Sequence, residues 1–275
     1  MIDKTKFNNK AELINYLISN KSELIQLKKS VTKLSDAFLF TDNLKVESNK
    51  IITDFGGDDI ANGIIKRSII GNTYGWMDSH DDVHINGIFT KSISENKNIF
   101  HLHDHLYQIS AKVGTPTRIY EQAVSLGDLG LNKVGYATCL IMDSEIKKSY
   151  NPMIFNEYLT KQINQHSVGM IYQKLLLCVN DAEYKEEYSN WNTYKNYVIN
   201  IEKAEEEGYF WAVTEAKLRE ISCVLQGSNE LTPTLNEKTE AVSDTSDKIE
   251  PLNDTQKAKQ TINYNYILQT IKQSK

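Results

Sequence analysis

The sequence predicts an α+β fold with a helical N-terminal segment and a polar, disordered C-terminal tail. Three observations predict it. Apolar residues recur at helical spacing over residues 10–30 and 181–207, and short apolar runs broken by Gly, Asn and Asp fill much of the chain between and after them. From Glu230 to about Lys259 large apolar side chains almost vanish, so that stretch cannot bury enough surface to offset its ordering entropy. The reading divides the chain into a helical segment, 1–35, a main domain, 36–234, and a tail, 235–275. With 275 residues and 40% hydrophobic content, the main domain has the material for a substantial core.

Leu13, Ile14, Leu17, Ile18, Leu24 and Ile25 form the first apolar stripe, and Asn20 followed by Glu23 makes a capping pattern within it. One interrupted helix or two short ones satisfy that pattern. From Ala37 to Tyr120 the runs are short and β-rich, among them Lys50 to Thr53 and Ile64 to Ile70, separated by turn residues. Thr138 to Met142 and Ser167 to Val179 continue as strands, the latter ending in three leucines that suggest burial on both faces. Pro152 to Lys161 suits a short helix between them. Tyr184, Tyr188, Trp191, Tyr194, Val198 and Ile201 mark an amphipathic helix that would lie on the sheet. Tyr209 to Val224 reads as one bent strand or two short ones, and Tyr264 to Ile271 has the apolar residues for a short terminal helix.

Composition narrows the function. The formal net charge of -5 offers no basic footprint for phosphate neutralisation, so nucleic acid is not an expected partner. No run approaches the roughly 18 consecutive apolar residues of a membrane span, and the first ten residues lack the pattern of a secretory signal. Cys139, Cys178 and Cys223 are odd in number and lack metal-type spacing, which suits packing thiols in a reducing cytosol. No internal repeat is evident.

The histidines carry the chemistry. His101, His103 and His105 alternate, His80 and His84 lie upstream, and His166 stands beside Ser167. On a continuous strand the three alternating histidines would share a face. His101-Leu-His-Asp-His105 then comes close to the His-x-His-x-Asp-His ligand run of metallo-β-lactamase-like zinc hydrolases, but is one residue short of it. The competing chemistry is nucleophilic acyl transfer, which needs a serine, an adjacent imidazole and a third group to orient the ring. Ser167, in Asn164-Gln-His-Ser-Val-Gly-Met170, is the candidate nucleophile, although it lacks the Gly-x-Ser-x-Gly elbow of α/β-hydrolases.

Taken in order, four segments resemble the prohead (capsid maturation) protease family of tailed bacteriophages. They are Gly75-Trp-Met-Asp-Ser-His-Asp-Asp-Val-His-Ile-Asn-Gly-Ile-Phe89, Ile99-Phe-His-Leu-His-Asp-His105 with Val113-Gly114 after it, His166-Ser-Val-Gly-Met170, and Ala216-Lys-Leu-Arg-Glu-Ile-Ser-Cys-Val224 followed by Gly227-Ser-Asn229. Their order and spacing agree over residues 55–234. The resemblance implies a β-barrel decorated by helices, related to the herpesvirus assemblin proteases. It also implies a serine endopeptidase that cleaves capsid and scaffold proteins, and itself, inside the assembling prohead in a bacterial cytoplasm.

Carried over residue by residue, Ser167 matches the nucleophile and His105 the base, with His103 its rival because the stretch from histidine to glycine is longer here than the family pattern. Glu220 matches the acidic position of the Leu-x-Glu-x-Ser strand and would orient the imidazole, with Asp104 and His166 as substitutes. Oxyanion donors would come from backbone near Gly169 or from the loop Leu126 to Gly130. The resemblance implies no cofactor or metal; its partners are the major capsid protein, the scaffold and further copies of the chain. The alternatives are a catalytically inactive assembly scaffold that keeps the fold and, less favoured, a zinc hydrolase built on the His101/His103/His105 cluster.

Overall fold

In the computed structural model, described over residues 2–30, 52–53, 55–95 and 98–237, one large mixed sheet organises the chain. In order, the elements are α1 (Lys10–Ser19), α2 (Lys21–Ser30), β1 (Ile52–Thr53), β2 (Ile64–Thr73), β3 (Asp82–His84), α3 (Thr90–Glu95), β4 (Phe100–His103), β5 (Lys112–Ser125), β6 (Tyr136–Lys147), α4 (Pro152–Leu159), β7 (His166–Val179), α5 (Lys185–Tyr194), α6 (Ile201–Glu207), β8 (Tyr209–Cys223) and β9 (Asn236–Glu237). Expectations for residues 31–51 and 238–275, which include most of the polar tail and its terminal helix, lie outside the described residues.

Several local choices left open above resolve simply. The first stripe is two helices, because the Asn20 side chain closes on the Tyr16 carbonyl at 2.9 Å and ends α1. The helix expected over 181–207 is split into α5 and α6 by a 3-10 turn at Lys195–Tyr197. Tyr209 to Cys223 is a single strand, bent with β7 where their register shifts at Gly169/Met170 and again between Tyr172 and Leu175.

β8 is the hub of the sheet. A strand has two edges, and β7 runs antiparallel along the whole of one. The other is shared by two short parallel partners, β3 at Trp211–Val213 and β4 at Glu220–Cys223. From β4 the sheet continues through β5 and β6 to β2, all antiparallel. The expected barrel does not close: the sheet is open, with β2 and β7 as its ends. The chain leaving β8 supplies the physical reason. It turns back along the edge of β2, where Ile70 N–H bonds the Pro233 carbonyl at 3.0 Å and Leu235 N–H bonds Ser68 at 2.8 Å. On its other side Thr232 takes the His166 N–H on its hydroxyl at 3.2 Å, so this segment stands where a β2–β7 ladder would form.

Helices cover the sheet and bury its apolar face. Leu13, Ile14, Leu17 and Leu24 of α1 and α2 join Leu175, Leu177, Tyr209 and Trp211 in the main core. Charge fastens α2 and the residues ahead of α1: Lys28 pairs with fully buried Asp82, Lys21 with Glu187 at 2.7 Å, and Lys4 with Asp81 at 2.9 Å. The described part of the N-terminal segment thus packs as one body with the sheet. No helix among the described residues is long and apolar enough to cross a membrane.

Candidate active site

At its C-terminal end β8 carries Glu220 and Ser222 two residues apart, so their side chains leave the same face of the sheet. Antiparallel pairing sets Gly169 opposite Glu220 and Ser167 opposite Ser222. Residues directly opposite share a face with Cβ atoms about 4.5–5.5 Å apart. Ser167, Glu220 and Ser222 therefore form one patch on two neighbouring strands, all of them buried. On the far side of β8, parallel pairing adds Phe100 beside Glu220 and Leu102 beside Ser222.

His105 reaches this patch through the backbone. β4 ends at His103, and the next two residues, Asp104 and His105, take φ of 51° and 55°, the left-handed region that costs a residue with a Cβ. That turn breaks the alternation expected over 99–105. Instead of sharing a face with His101 and His103, His105 swings to the Glu220 face. Its backbone N–H donates to Ser222 Oγ at 3.2 Å, and its ring bonds Glu220, Nδ1 to Oε1, at 2.6 Å. Ser222 Oγ–H donates to the second carboxylate oxygen, Oε2, also at 2.6 Å. Both carboxylate oxygens are thereby engaged, and Ser222 ties together His105, Glu220 and the strained turn. Since an ionised carboxylate can only accept, Nδ1 carries the ring proton and Nε2 is the basic nitrogen.

Gly169 makes the arrangement sterically feasible. A Cβ at this position would stand 2.7 Å from Glu220 Cδ and 2.9 Å from Cγ, and closer still to Oε1. The carboxylate lies over the bare glycine backbone on its way to His105. The same kind of close approach accounts for Gly114 after Val113, where a Cβ would come within 2.6 Å of Ser144 Oγ.

The other histidines lie elsewhere. His103 Nδ1 bonds its neighbour Asp104 at 2.9 Å, and its register position opposite Cys223 puts it on the face away from Glu220. Neither His103 nor Asp104 is placed with the Ser167 patch. His101 and His166 are fully buried behind the patch and joined by Tyr158: its hydroxyl meets His101 Nε2 at 3.1 Å and His166 Nε2 at 2.9 Å. His166 Nδ1 faces the Thr232 carbonyl at 2.9 Å and must donate; His166 Nε2 then accepts from Tyr158, Tyr158 accepts from His101, and His101 Nδ1 accepts from Ser144 at 2.9 Å. Every proton in this arrangement has a place with both rings neutral. Burial agrees, pushing His101 down to about 3, with a smaller contribution from His166, and His166 down to about 4.

His101, His103 and His105 thus enter three separate environments and cannot converge on one ion. Among the described residues no group of three or more His, Cys, Asp or Glu side chains is arranged to hold a metal. The three cysteines are buried free thiols, and burial raises Cys139 and Cys223 to about 12. The loop Leu126 to Gly130, considered above for oxyanion donors, belongs to a separate cluster. There Leu126 and Leu129 pack with Val124, Ala137 and Cys139 at the far end of the β5–β6 hairpin.

Of the residues singled out from the sequence, His105 and Glu220 are in direct contact, and the strand register sets Ser167 on their face. Ser222, absent from the candidates drawn from the sequence, joins them in the structure, and its period-two spacing from Glu220 on a strand is the signal that places it there. The left-handed turn carries no signal of that kind, since neither Asp104 nor His105 is a glycine. No protein-family model, curated protein or solved structure matches the chain.

Proposed function

We propose that this protein is a serine endopeptidase with Ser167 as nucleophile, His105 as general base and Glu220 as the group that orients the imidazole. The observation that carries the reading is the 2.6 Å bond from His105 Nδ1 to Glu220, made on the sheet face where Ser167 stands directly across from Ser222. A buried carboxylate that fixes the tautomer leaves Nε2 to receive a proton, and it stabilises the imidazolium that results. In the reaction, Ser167 Oγ attacks a peptide carbonyl while His105 takes the hydroxyl proton. His105 then returns that proton to the departing amine as the C–N bond breaks, and water releases the acyl group by the same route in reverse.

The biological setting follows from the sequence resemblance: a capsid-maturation protease of a tailed bacteriophage, acting on capsid protein, scaffold and its own chain inside the assembling shell in the host cytoplasm. Two measurements test the proposal. An alkyl fluorophosphonate should label the wild type stoichiometrically at Ser167 and leave Ser167→Ala unlabelled. Co-expression with a cognate capsid protein should give a trimmed product, with the wild-type chain itself shortened in mass spectra while Ser167→Ala stays full length. An unlabelled Ser167 together with equal masses would assign the chain to the inactive-scaffold alternative.

A further inference from the structure

The site has an apolar neighbour that the catalytic roles leave unexplained. The eight residues from Asp104 to Ala111 link β4 to β5, and with side chains of β4 and Lys112 they line an open cavity of about 170 Å³. Its lining is Phe100, Leu102, Tyr107, Gln108, Ile109 and Lys112. Two of these, Phe100 and Leu102, are the strand neighbours of Glu220 and Ser222, so the cavity opens on the catalytic face, one strand spacing of about 4.8 Å from the β8 backbone. Its rim begins two residues beyond His105. Tyr107 is held over the cavity by an edge contact with Phe100, ring centroids 5.6 Å apart, and by the Arg219 guanidinium over its other side at 5.4 Å. Ile109 is 89% exposed, and Leu106 and Tyr107 are exposed beside it. Three large apolar side chains held in water within four residues are a standing cost unless something covers them.

We infer that this cavity is a substrate subsite that binds one apolar side chain, of leucine or phenylalanine size, close to the scissile bond. The inference rests on the serine-peptidase reading and names part of its substrate. Size and charge favour this occupant. An apolar cavity of about 150 Å³ is known to hold a benzene ring, so 170 Å³ suits a branched or aromatic side chain. Lys112 in the lining and Arg219 against Tyr107 put positive charge at the rim, which disfavours a lysine or arginine in the substrate. A peptide that reaches Ser167 from the β4 side of β8 would pass this cavity.

The test uses the full chain and two kinds of irreversible probe. The first is an alkyl fluorophosphonate, which needs the Ser167–His105 pair and no subsite. The second is a set of tetrapeptidyl diphenyl phosphonates, alanine throughout except for one leucine moved position by position, with a matching lysine set. In each, Ser167 Oγ bonds to phosphorus, phenoxide leaves, and the serine proton passes to His105. Leucine at one position should speed labelling about tenfold or more over all-alanine, as the burial of a few methylenes allows, whereas lysine there should not. Ile109→Lys, a change at an exposed position, should abolish that gain while the fluorophosphonate rate stays within twofold of wild type. Fluorophosphonate labelling with no leucine preference, or a preference that survives Ile109→Lys, overturns the subsite and leaves the catalytic reading standing. Failure of the fluorophosphonate itself removes both. A concentration-dependent dimer that Ile109→Lys dissociates, with peptide selectivity unchanged, would assign the cavity to a second copy of the chain.

Discussion

Adding one methyl group at Gly169 tests the proposed catalytic arrangement against a merely buried ion pair. A Cβ there lands within 2.7 Å of Glu220 Cδ and overlaps Oε1, both atoms in the part of the side chain that reaches His105. The strand cannot retreat, because Gly169 is paired with Glu220 in the β7–β8 ladder. The carboxylate must swing away, and His105 loses its charge-assisted bond. Such a bond is worth about 1.5–3 kcal/mol, and misplacing a catalytic group by about 1 Å costs on the order of a hundredfold, so Gly169→Ala should slow fluorophosphonate labelling of Ser167 about a hundredfold. Far-UV circular dichroism and thermal melting establish that the variant is folded. The decisive comparison is a double-mutant cycle with Glu220→Ala. If Gly169 acts through the carboxylate, adding Gly169→Ala to Glu220→Ala should change the rate less than about twofold, since the atoms it displaces are gone. Full additivity, a further hundredfold loss in the double mutant, would refute the argument and place the role of Gly169 elsewhere.

The buried histidines behind the patch make stability pH-dependent with a definite sign. His101 and His166 are held at about 3 and about 4 in the fold, against 6.5 for the free side chain, so the unfolded chain binds more protons whenever the pH falls below that value. Their contribution is complete above pH 6.5 and drains away as the pH falls toward their folded values. At pH 5 the deficit is about 1.5 units, or about 2 kcal/mol for each ring. Urea midpoints at pH 7.5 and 5.0 should differ by the equivalent of about 4 kcal/mol, and equal midpoints would contradict neutral burial. At the other end of the domain, Lys28→Ala removes the cationic partner of Asp82, whose side chain is fully buried, and leaves the Tyr172 hydroxyl on it. Breaking a buried pair from one side typically costs about 3–5 kcal/mol, and this loss should appear as a lower melting temperature and faster proteolysis within α1 and α2. Adding Asp82→Asn should recover part of it.

The α+β character was legible in period alone: the stripes of α1, α2 and α5, and the long apolar runs of β7 and β8, each bury their expected faces. Closure was not. Whether an open sheet becomes a barrel depends on which segment takes the last free edge, and here Leu231 to Leu235, a short stretch at the start of a polar tract, takes the edge of β2. Its hydrophobicity is unremarkable, and its role comes from backbone hydrogen bonds that any sequence can make. The same limit applied to the histidines. Alternation over 101–105 assumed a strand that ends two residues too early, and backbone conformation at Asp104 and His105 overrode the pattern.

That override also explains how β7 divides its labour. His166 and Ser167 are sequence neighbours that a strand must send to opposite faces. On one face His166 joins a hydrogen-bonded chain with Tyr158, His101 and Ser144, where burial holds both rings neutral. On the other, Ser167 joins Ser222, Glu220 and an imidazole whose partner is a carboxylate. Had His105 stayed in register with His101 and His103, it would have faced away from Glu220. The strained turn is thus the step that moves one of three similar histidines to the Glu220 face of the sheet, where the proposed mechanism needs it. Ser222, which accepts the His105 N–H and donates to Glu220, is the residue that holds it there.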